Sequence, residues 1–426
     1  MEPSRTKAKK NTLPYPMAKV KEVVGKYLHL DDDRIIDVIF ATHLTNQMCA
    51  DPVWLIIIDA PSNAKTEILR GLSSHEDFYF LSTLTPATFI SGKNTKNKSA
   101  SKIFEMDGKT LVFKDFTTIL SMRAEPKAEI LAQFREIYDG FYSKATGNGP
   151  TITWEGKIGF IAACTPIYDR HYGVIGSMGD RFLLYRGPNN NAEKITLMAQ
   201  KNVGKEDEMR NEINKAFSKF LSQFNGTGAM QFNHNKVIDP KIRSLACFCA
   251  VARTPVERNP YTRTIDYVPQ PEGPARLVKQ LTQMGMGLAM VHAKTRIDVE
   301  TYKTIRKIGC DLVPTIKFLI LKHLWKKQSI QGEVLTQTTS QVAAGINVPT
   351  NTAKSHLEDL MVVGALHRQR EEFSEKAPYE WQITNMVADY IEQADIFRKT
   401  WKKSIKNNDI PKKIVHIKKR KNAKIF

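Results

Sequence analysis

Along its first half the chain repeats one motif: a short apolar run that breaks off into small or polar residues. WLIII (54–58) gives way to DAPSNAKT and then to an amphipathic stretch, which predicts a buried strand, a turn and the start of a helix. FYFL runs into the threonine-rich STLTP. KTLVFKDFTTIL, Lys109 to Leu120, reads as a β-rich run whose apolar part ends at Asp115, and GKIGFIAACTPIYD as a buried strand closing on Thr165-Pro166. A fifth strand is expected in DRFLLYR, between Arg181 and Arg186. PKAEILAQFREIYDGFY has apolar residues at helical spacing and stops at Gly140, and two further amphipathic runs, AKVKEVVGKYLHL and DDRIIDVIFATHL, form a helical lead-in. Strands alternating with helices predict an α/β fold with a mostly parallel sheet, and such sheets hold ligands beyond the carboxyl ends of their strands. Lys65, Asp115 and Thr165 are therefore expected in one crevice.

The second half has a different texture. VIDPKIRSLACFCAVAR predicts one helix between two connectors rich in Pro, Asn and Gly, FNGTG and ARTPVERNPYTRTIDYVPQPEGP. The second connector mixes Arg253, Arg258 and Arg263 with Tyr261 and Tyr267, a combination that suits nucleic-acid contact and equally a surface loop between domains. Further on, a helix from about Gln341 to Gly345, a turn through Asn347-Val-Pro and a helix from Asn351 to Val363 predict a helix-turn-helix, with YEWQIT as a wing strand. Thr350, Asn351, Thr352, Lys354, Ser355 and His356 are the short polar and basic side chains a recognition helix presents to the major groove, and Arg368 and Arg370 could grip phosphates. Winged helices also serve as protein-binding modules.

Composition narrows the class. The chain has 426 residues, 42% of them apolar, enough for two or three domains. No run approaches the roughly 18 uncharged apolar residues of a membrane span, and the N-terminus has no apolar core of a signal peptide, so a cytosolic protein without a membrane partner is expected. Five cysteines are too sparse for a disulfide framework. The net charge of +19 sits mainly at the ends: 12 basic residues against Asp409 from Arg398 onward, a net +11, and +3 over residues 1–11. Such tails bind polyanions through counterion release or act as solubilising appendages.

The loop Asp59, Ala60, Pro61, Ser62, Asn63, Ala64, Lys65, Thr66 has the layout of a phosphate cradle. Lys65 stands where a lysine reaches the β and γ phosphates of ATP, and the Thr66 hydroxyl where Mg²⁺ is held, both at a helix N-terminus that favours anions. Glycine is expected at Asp59 and Ala64, the departure at Asp59 being the more serious. Asp115, some 50 residues on, is the candidate second Mg²⁺ ligand.

Taken together these segments resemble an AAA+ P-loop ATPase over roughly residues 46 to 310. The set WLIII…KTE, STLTPATF, KDFTTIL and TPIYDR is similar to that of ATP-binding proteins encoded by phages and integrating elements. The resemblance implies Asp59 to Thr66 as Walker A, Asp115 as Walker B, Thr165 at sensor 1, and Arg181 as a finger for the nucleotide of a neighbouring subunit, although ordinary surface pairing explains that arginine as well. EGPARLVKQLTQMGMGLAMVHAKTRIDVETYKTI resembles the lid of minichromosome-maintenance helicases, which implies that Arg276 reaches the nucleotide. The sequence departs from the family at Phe116 and Thr165, in place of Glu and Asn. The expected organisation is a basic tail and helical lead-in (1–45), an AAA+ core (46–235), a helical lid (236–312), a winged helix-turn-helix (313–385) and a basic tail (386–426). The expected function is ATP-dependent DNA binding by a helicase-like ring, a homo-oligomer such as a hexamer, in replication or maintenance of a phage or mobile element. A nucleotide-gated DNA-binding regulator or loader with weak or no hydrolysis is the alternative.

Overall fold

A computed structural model describes residues 13–61, 64–91, 94–95, 98–99, 101–145, 151–177, 181–188, 191–224, 233–259, 261–265, 267–329, 336–370 and 377–397. Residues 1–12 and 398–426, most of the KNTKNKSASK loop, and Ser62 and Asn63 of the cradle lie outside them, whereas the first residues of the expected 386–426 tail fall in a helix, Asn385–Gln393.

After two helices, α1 (Met17–Tyr27) and α2 (Arg34–Asn46), the chain enters strand β1 (Trp54–Ile58) and leaves it through the cradle into α3 (Lys65–Arg70). Then follow β2 (Phe78–Leu81), β3 (Thr110–Phe113), α4 (Ala124–Tyr138), β4 (Gly159–Cys164) and β5 (Phe182–Arg186). These five strands form one parallel sheet in the order β2-β3-β4-β1-β5. All residues of β1 and β4 are buried, as central strands covered on both faces must be. From β1 the chain crosses to β2 at the far edge, returns through β3 to β4, and passes to β5 on the other side of β1. The connections of β1 and β4 leave in opposite directions, so the topological switch point lies between their carboxyl ends.

The run from Lys109 to Leu120 is only partly β: Thr110–Phe113 is strand and Thr117–Leu120 a short helix. The reason is local, because the Asp115 carboxylate accepts the Thr117 N–H at 3.0 Å and turns the chain as it leaves the sheet.

Helices α5 (Ala192–Lys201) and α6 (Glu206–Leu221) follow the sheet, and α6 packs on α1 and α3. Next come α7 (Ile238–Ala252), α8 (Ala275–Val291) and α9 (Val299–Asp311). Helix α8 lies along α2, with Gly287 against its backbone, where a Cβ would stand 2.5 Å from the Ala41 carbonyl oxygen. The last described region holds α10 (Thr315–Ser329), β6 (Gln337–Thr338), α11 (Thr339–Ile346), α12 (Thr350–Val362), β7 (Leu366–Gln369), β8 (Glu380–Ile383) and α13 (Asn385–Gln393). Its strands form an antiparallel sheet in the order β6-β8-β7. A capping box opens α11: Gln341 N–H donates to the Thr338 hydroxyl at 3.3 Å, and Thr338 N–H to the Gln341 side chain at 2.8 Å. Asn347, left-handed at φ 56°, ends it. Within α11, Ala343 is buried and Ala344 exposed, and the tight approach is at Gly345, where a Cβ would collide with the His323 ring. Among the described residues no helix is long and apolar enough to cross a membrane.

The α2–α8 contact gives a stability prediction. Gly287→Ala forces a methyl group into the Ala41 backbone and is expected to lower unfolding free energy by about 1–3 kcal/mol in a denaturant titration. An unchanged midpoint would contradict the close approach.

Candidate functional site

The cradle begins where β1 ends. Asp59 N–H donates to the Cys164 carbonyl at 3.1 Å, fastening the carboxyl ends of β1 and β4 across the switch point. Gly187, just past β5, is required to be small, since a Cβ there would lie 2.3 Å from the Asp59 carboxyl carbon. Lys65, buried to 7% exposure, donates to the Asp59 carbonyl at 2.9 Å and also to the Ala60 carbonyl. Burial lowers its pKa below the usual lysine value, opposed chiefly by the nearby Asp59 carboxylate and also by that of Asp115. The ammonium is thus held inside the loop and in electrostatic range of Asp115. Thr66 is exposed at the first turn of α3.

The cost of the missing glycines falls opposite to the sequence expectation. Ala64 is left-handed, with φ 54°, whereas Asp59 is not among the positive-φ residues. The strained departure is therefore Ala64, and Asp59 is accommodated by the absent Cβ of Gly187.

Asp115 lies exposed just beyond β3. Phe116 is fully buried, with its ring 6.0 Å from Phe160, 5.7 Å from Phe182 and 6.3 Å from Phe134. Its N–H donates to the Ala163 carbonyl at 2.7 Å, fastening the end of β3 to β4. Thr165 stands 3.4 Å from Thr117, hydroxyl to hydroxyl, and its N–H donates to that same Thr117 oxygen at 3.4 Å. Beside them Cys164 is an inert buried thiol, its pKa pushed up to about 11 by desolvation. Lys65, Asp115 and Thr165 thus stand at the carboxyl ends of three adjacent strands.

A cavity of about 290 Å³ opens beside the cradle. Ala64, Lys65 and Thr66 form one wall, Tyr27 to His29 a second, and Ile195, Met198 and Ala199 of α5 a third. Its α5 wall is apolar, while His29, Thr66 and Glu67 add polar groups beside the lysine, and α5 contributes to it without burying any residue of its own. Sequence reasoning missed this wall, because only the tertiary fold brings the end of α1 and α5 to the cradle; the amphipathic pattern of α5 was the available sign. Arg186 was also passed over. Paired in register with Ile58, it ends β5 on the cradle side and bonds Asp169 through two nitrogens at 2.7 and 3.1 Å. Asp169 in turn accepts from the Thr315 hydroxyl at 2.8 Å, at the start of α10.

The two other arginines stand elsewhere. Arg181 precedes β5, so it lies at the opposite end of the parallel strands from Lys65, with its guanidinium on Asp139 at 2.7 Å and 5.5 Å from the Tyr138 ring centre. Arg276 does not reach the cradle of its own chain. With Lys157, Lys279 and Asp51 it lines a second cavity of about 430 Å³ at the amino ends of β1 and β4. The reason is the packing of α8 along α2, which sets the start of α8 at that edge, where Gln280 bonds Tyr138 at 3.0 Å and Gln283 the Asp51 carbonyl at 2.9 Å.

On α12, Thr350, Asn351 and Lys354 are exposed, while Thr352, Ser355 and His356 are half-buried. Arg368 and Arg370 both stack on Tyr379, at 4.3 and 4.2 Å. Compared with known proteins, the chain matches no family model and no curated protein.

The left-handed residue is testable. Relieving an alanine at φ 54° is worth roughly 1–2 kcal/mol, and glycine's extra unfolded-state entropy offsets about 0.5–1 of it. Ala64→Gly is expected to stabilise the protein by about 0.5–1 kcal/mol by thermal or denaturant unfolding. A loss of stability would mean that this backbone position is not left-handed.

Proposed function

We propose that the chain is an AAA+-type ATPase that binds Mg²⁺-ATP at the end of β1 and DNA through a winged helix formed by α11, α12 and the β6-β8-β7 sheet. The observation that carries this reading is the convergence of Lys65, Asp115 and Thr165 around the β1–β4 switch point, beside a cavity with an apolar far wall. A purine base fits that wall, and its phosphates then run toward Lys65 and the α3 N-terminus. The donor set suits Mg²⁺, which takes one or two protein oxygens and completes its shell with phosphate and water. Thr66 and Asp115 would hold it, and the ion would offset charge on the transferring phosphoryl group. Lys65 exchanges its bonds to the loop carbonyls for phosphate oxygens, and Thr165, braced by Thr117, orients a polar group at the same strand ends.

Arg181 and Arg276 belong to a different edge of the protomer. Around Tyr138 and Asp139 they gather positive charge some five strand residues, roughly 17 Å, from the cradle. In a closed ring each protomer presents one edge to the opposite edge of its neighbour, so this face meets the neighbour's phosphates and the site is completed between subunits. Such a homo-oligomer would act as a DNA motor in replication or maintenance of a mobile element. Phe116 supports a second reading, a nucleotide-gated DNA-binding regulator or loader, because a core phenylalanine occupies the position from which a carboxylate would polarise the attacking water.

One set of proteins tests both. Asp115→Asn is expected to keep ATP binding and lower DNA-stimulated turnover by about a hundredfold or more. Arg181→Ala and Lys65→Ala are each expected to be inactive alone and to regain part of the activity when mixed, through hybrid interfaces. Absence of any DNA-stimulated turnover in the natural protein rules out the motor and leaves the switch. Full turnover by a monomeric Arg181→Ala protein rules out the shared site.

A further inference from the structure

The connector between α7 and α8 carries three arginines, and the structure gives each a different use. Arg253 is buried at 3% exposure, and its Nε donates to Glu272 at 2.6 Å. Arg258 turns to α12: it donates to the Asp359 carboxylate at 2.7 and 3.0 Å, to Glu358 at 3.3 Å and to the Ser355 carbonyl at 2.9 Å. A further N–H of Arg258 holds the Arg263 carbonyl at 3.1 Å. One guanidinium therefore fastens the connector to α12 from the side.

Arg258 and Ile265 face each other as an antiparallel bridge, and the described residues between them, Asn259 and Tyr261 to Thr264, form a small hairpin. Asn259 N–H donates to the Thr264 carbonyl at 2.9 Å and Arg263 N–H to the Asn259 carbonyl at 2.9 Å. The Asn259 side chain accepts the N–H groups of Tyr261 and Thr262 at 2.9 and 3.0 Å, and the hydroxyls of Thr262 and Thr264 meet at 2.7 Å. Residues Tyr261 to Thr264 are thus tied back to Asn259 by local bonds, yet Tyr261 is 92% exposed, and Arg263, left-handed at φ 62°, is exposed beside it. A loop held by such local bonds, with a tyrosine and an arginine presented to solvent, loses less conformational entropy on binding than one without them.

We propose that the hairpin Arg258–Ile265 is a second DNA-contacting element beside α12, in which Tyr261 and Arg263 take the sugar-phosphate backbone of the duplex that α12 reads. The inference rests on the proposed role of α12 in DNA binding. Tyrosine hydroxyls and arginine guanidinia are among the groups that contact backbone phosphates and fix register without reading sequence. The charge pattern suits a polyanion: Glu358 and Asp359, carboxylates on the connector side of α12, are both paired by Arg258, while Lys354 and Arg263 remain exposed. Glu257 is an exposed carboxylate immediately before the hairpin. Arg258 is then a positioning residue, which fixes the spacing between two DNA-binding elements.

Binding of the full chain to a labelled duplex, measured over a series of salt concentrations and followed by hydroxyl-radical footprinting, tests this. Tyr261→Ala and Arg263→Ala are each expected to weaken binding about three- to tenfold, and Arg263→Ala to reduce the slope of log K against log salt by about 0.9, the share of a single neutralised phosphate. The footprint is expected to shorten on one flank only. Tyr261 lies at a solvent-exposed tip, so its truncation leaves folding intact, and the thermal transition checks this for both variants. Lys354→Glu serves as the separate test of α12. If Lys354→Glu weakens binding while both hairpin variants match the natural protein, the hairpin proposal is overturned and the α12 reading stands. If none of the three changes binding, both are overturned. Weakening by the hairpin variants alone overturns the shared site, because the hairpin would then bind DNA away from α12.

Discussion

The pairing of β1 between β4 and β5 is the constraint on which the rest depends. Trp54 to Ile58 lie in register with Phe160 to Cys164 on one side and Phe182 to Arg186 on the other. At the amino end the strand is anchored by Trp54, whose ring packs within 5.2–5.7 Å of Tyr138, Phe160, Phe182 and Phe134, and whose indole N–H donates to the Ile158 carbonyl at 2.8 Å. A buried tryptophan of this kind is worth about 3–5 kcal/mol, a large share of the net stability of a domain. Because the strand is fixed at that end and bonded along both sides, its carboxyl end delivers the cradle to one place. A slip of a single residue would reverse which side chains face each helical layer and move Lys65 away from Asp115 and Thr165.

That same direction of travel divides the charged residues between two faces. Residues that end or follow a strand, such as Lys65, Asp115, Thr165 and Arg186, collect at the carboxyl ends of the sheet; those that precede one, such as Asp51, Lys157 and Arg181, collect at the other end. In the proposed ring, the edge that carries Lys65 would meet the opposite edge of a second copy, where Lys157, Arg276 and Lys279 line the tyrosine-backed cavity. The link from the cradle side to α12 is short: Arg186 holds Asp169, Asp169 holds Thr315 at the start of α10, and Lys317, two residues on, donates at 2.7 Å to the carbonyl of Thr254, in the connector that grips α12. Burial lowers the Lys317 pKa to about 8, so this joint is packed as core rather than solvated as surface.

The strand ends were legible in the sequence because each apolar run stops at a polar residue, and a parallel sheet sends such stops to one side. The pair of short helices near the C-terminus was legible for a similar reason, its turn marked by Asn347 and Pro349. Arg276 was not, since its position depends on how α8 lies along α2, a packing set by Gly287 and Ala41 across some 250 residues of sequence. Nor could composition sort the arginines of the connector: Arg253 and Arg263 look alike until Glu272 is seen to pair with one and solvent to surround the other. The ranking of the two missing glycines was inverted for a backbone reason, because a motif marks where glycine is usual but only φ shows where it is needed. Phe116 reads as a lost catalytic acid in the motif and as a member of the aromatic cluster in the fold.

The central claim is that Lys65 and its strand-end neighbours form a nucleotide site. Calorimetric titration of Mg²⁺-ATP into the natural protein and into Lys65→Ala, with the thermal transitions of both compared, tests it directly. One saturable site per chain in the natural protein, weakened about a hundredfold or more in a Lys65→Ala protein that remains folded, is the result this account predicts. Equal affinity in the two proteins would contradict it.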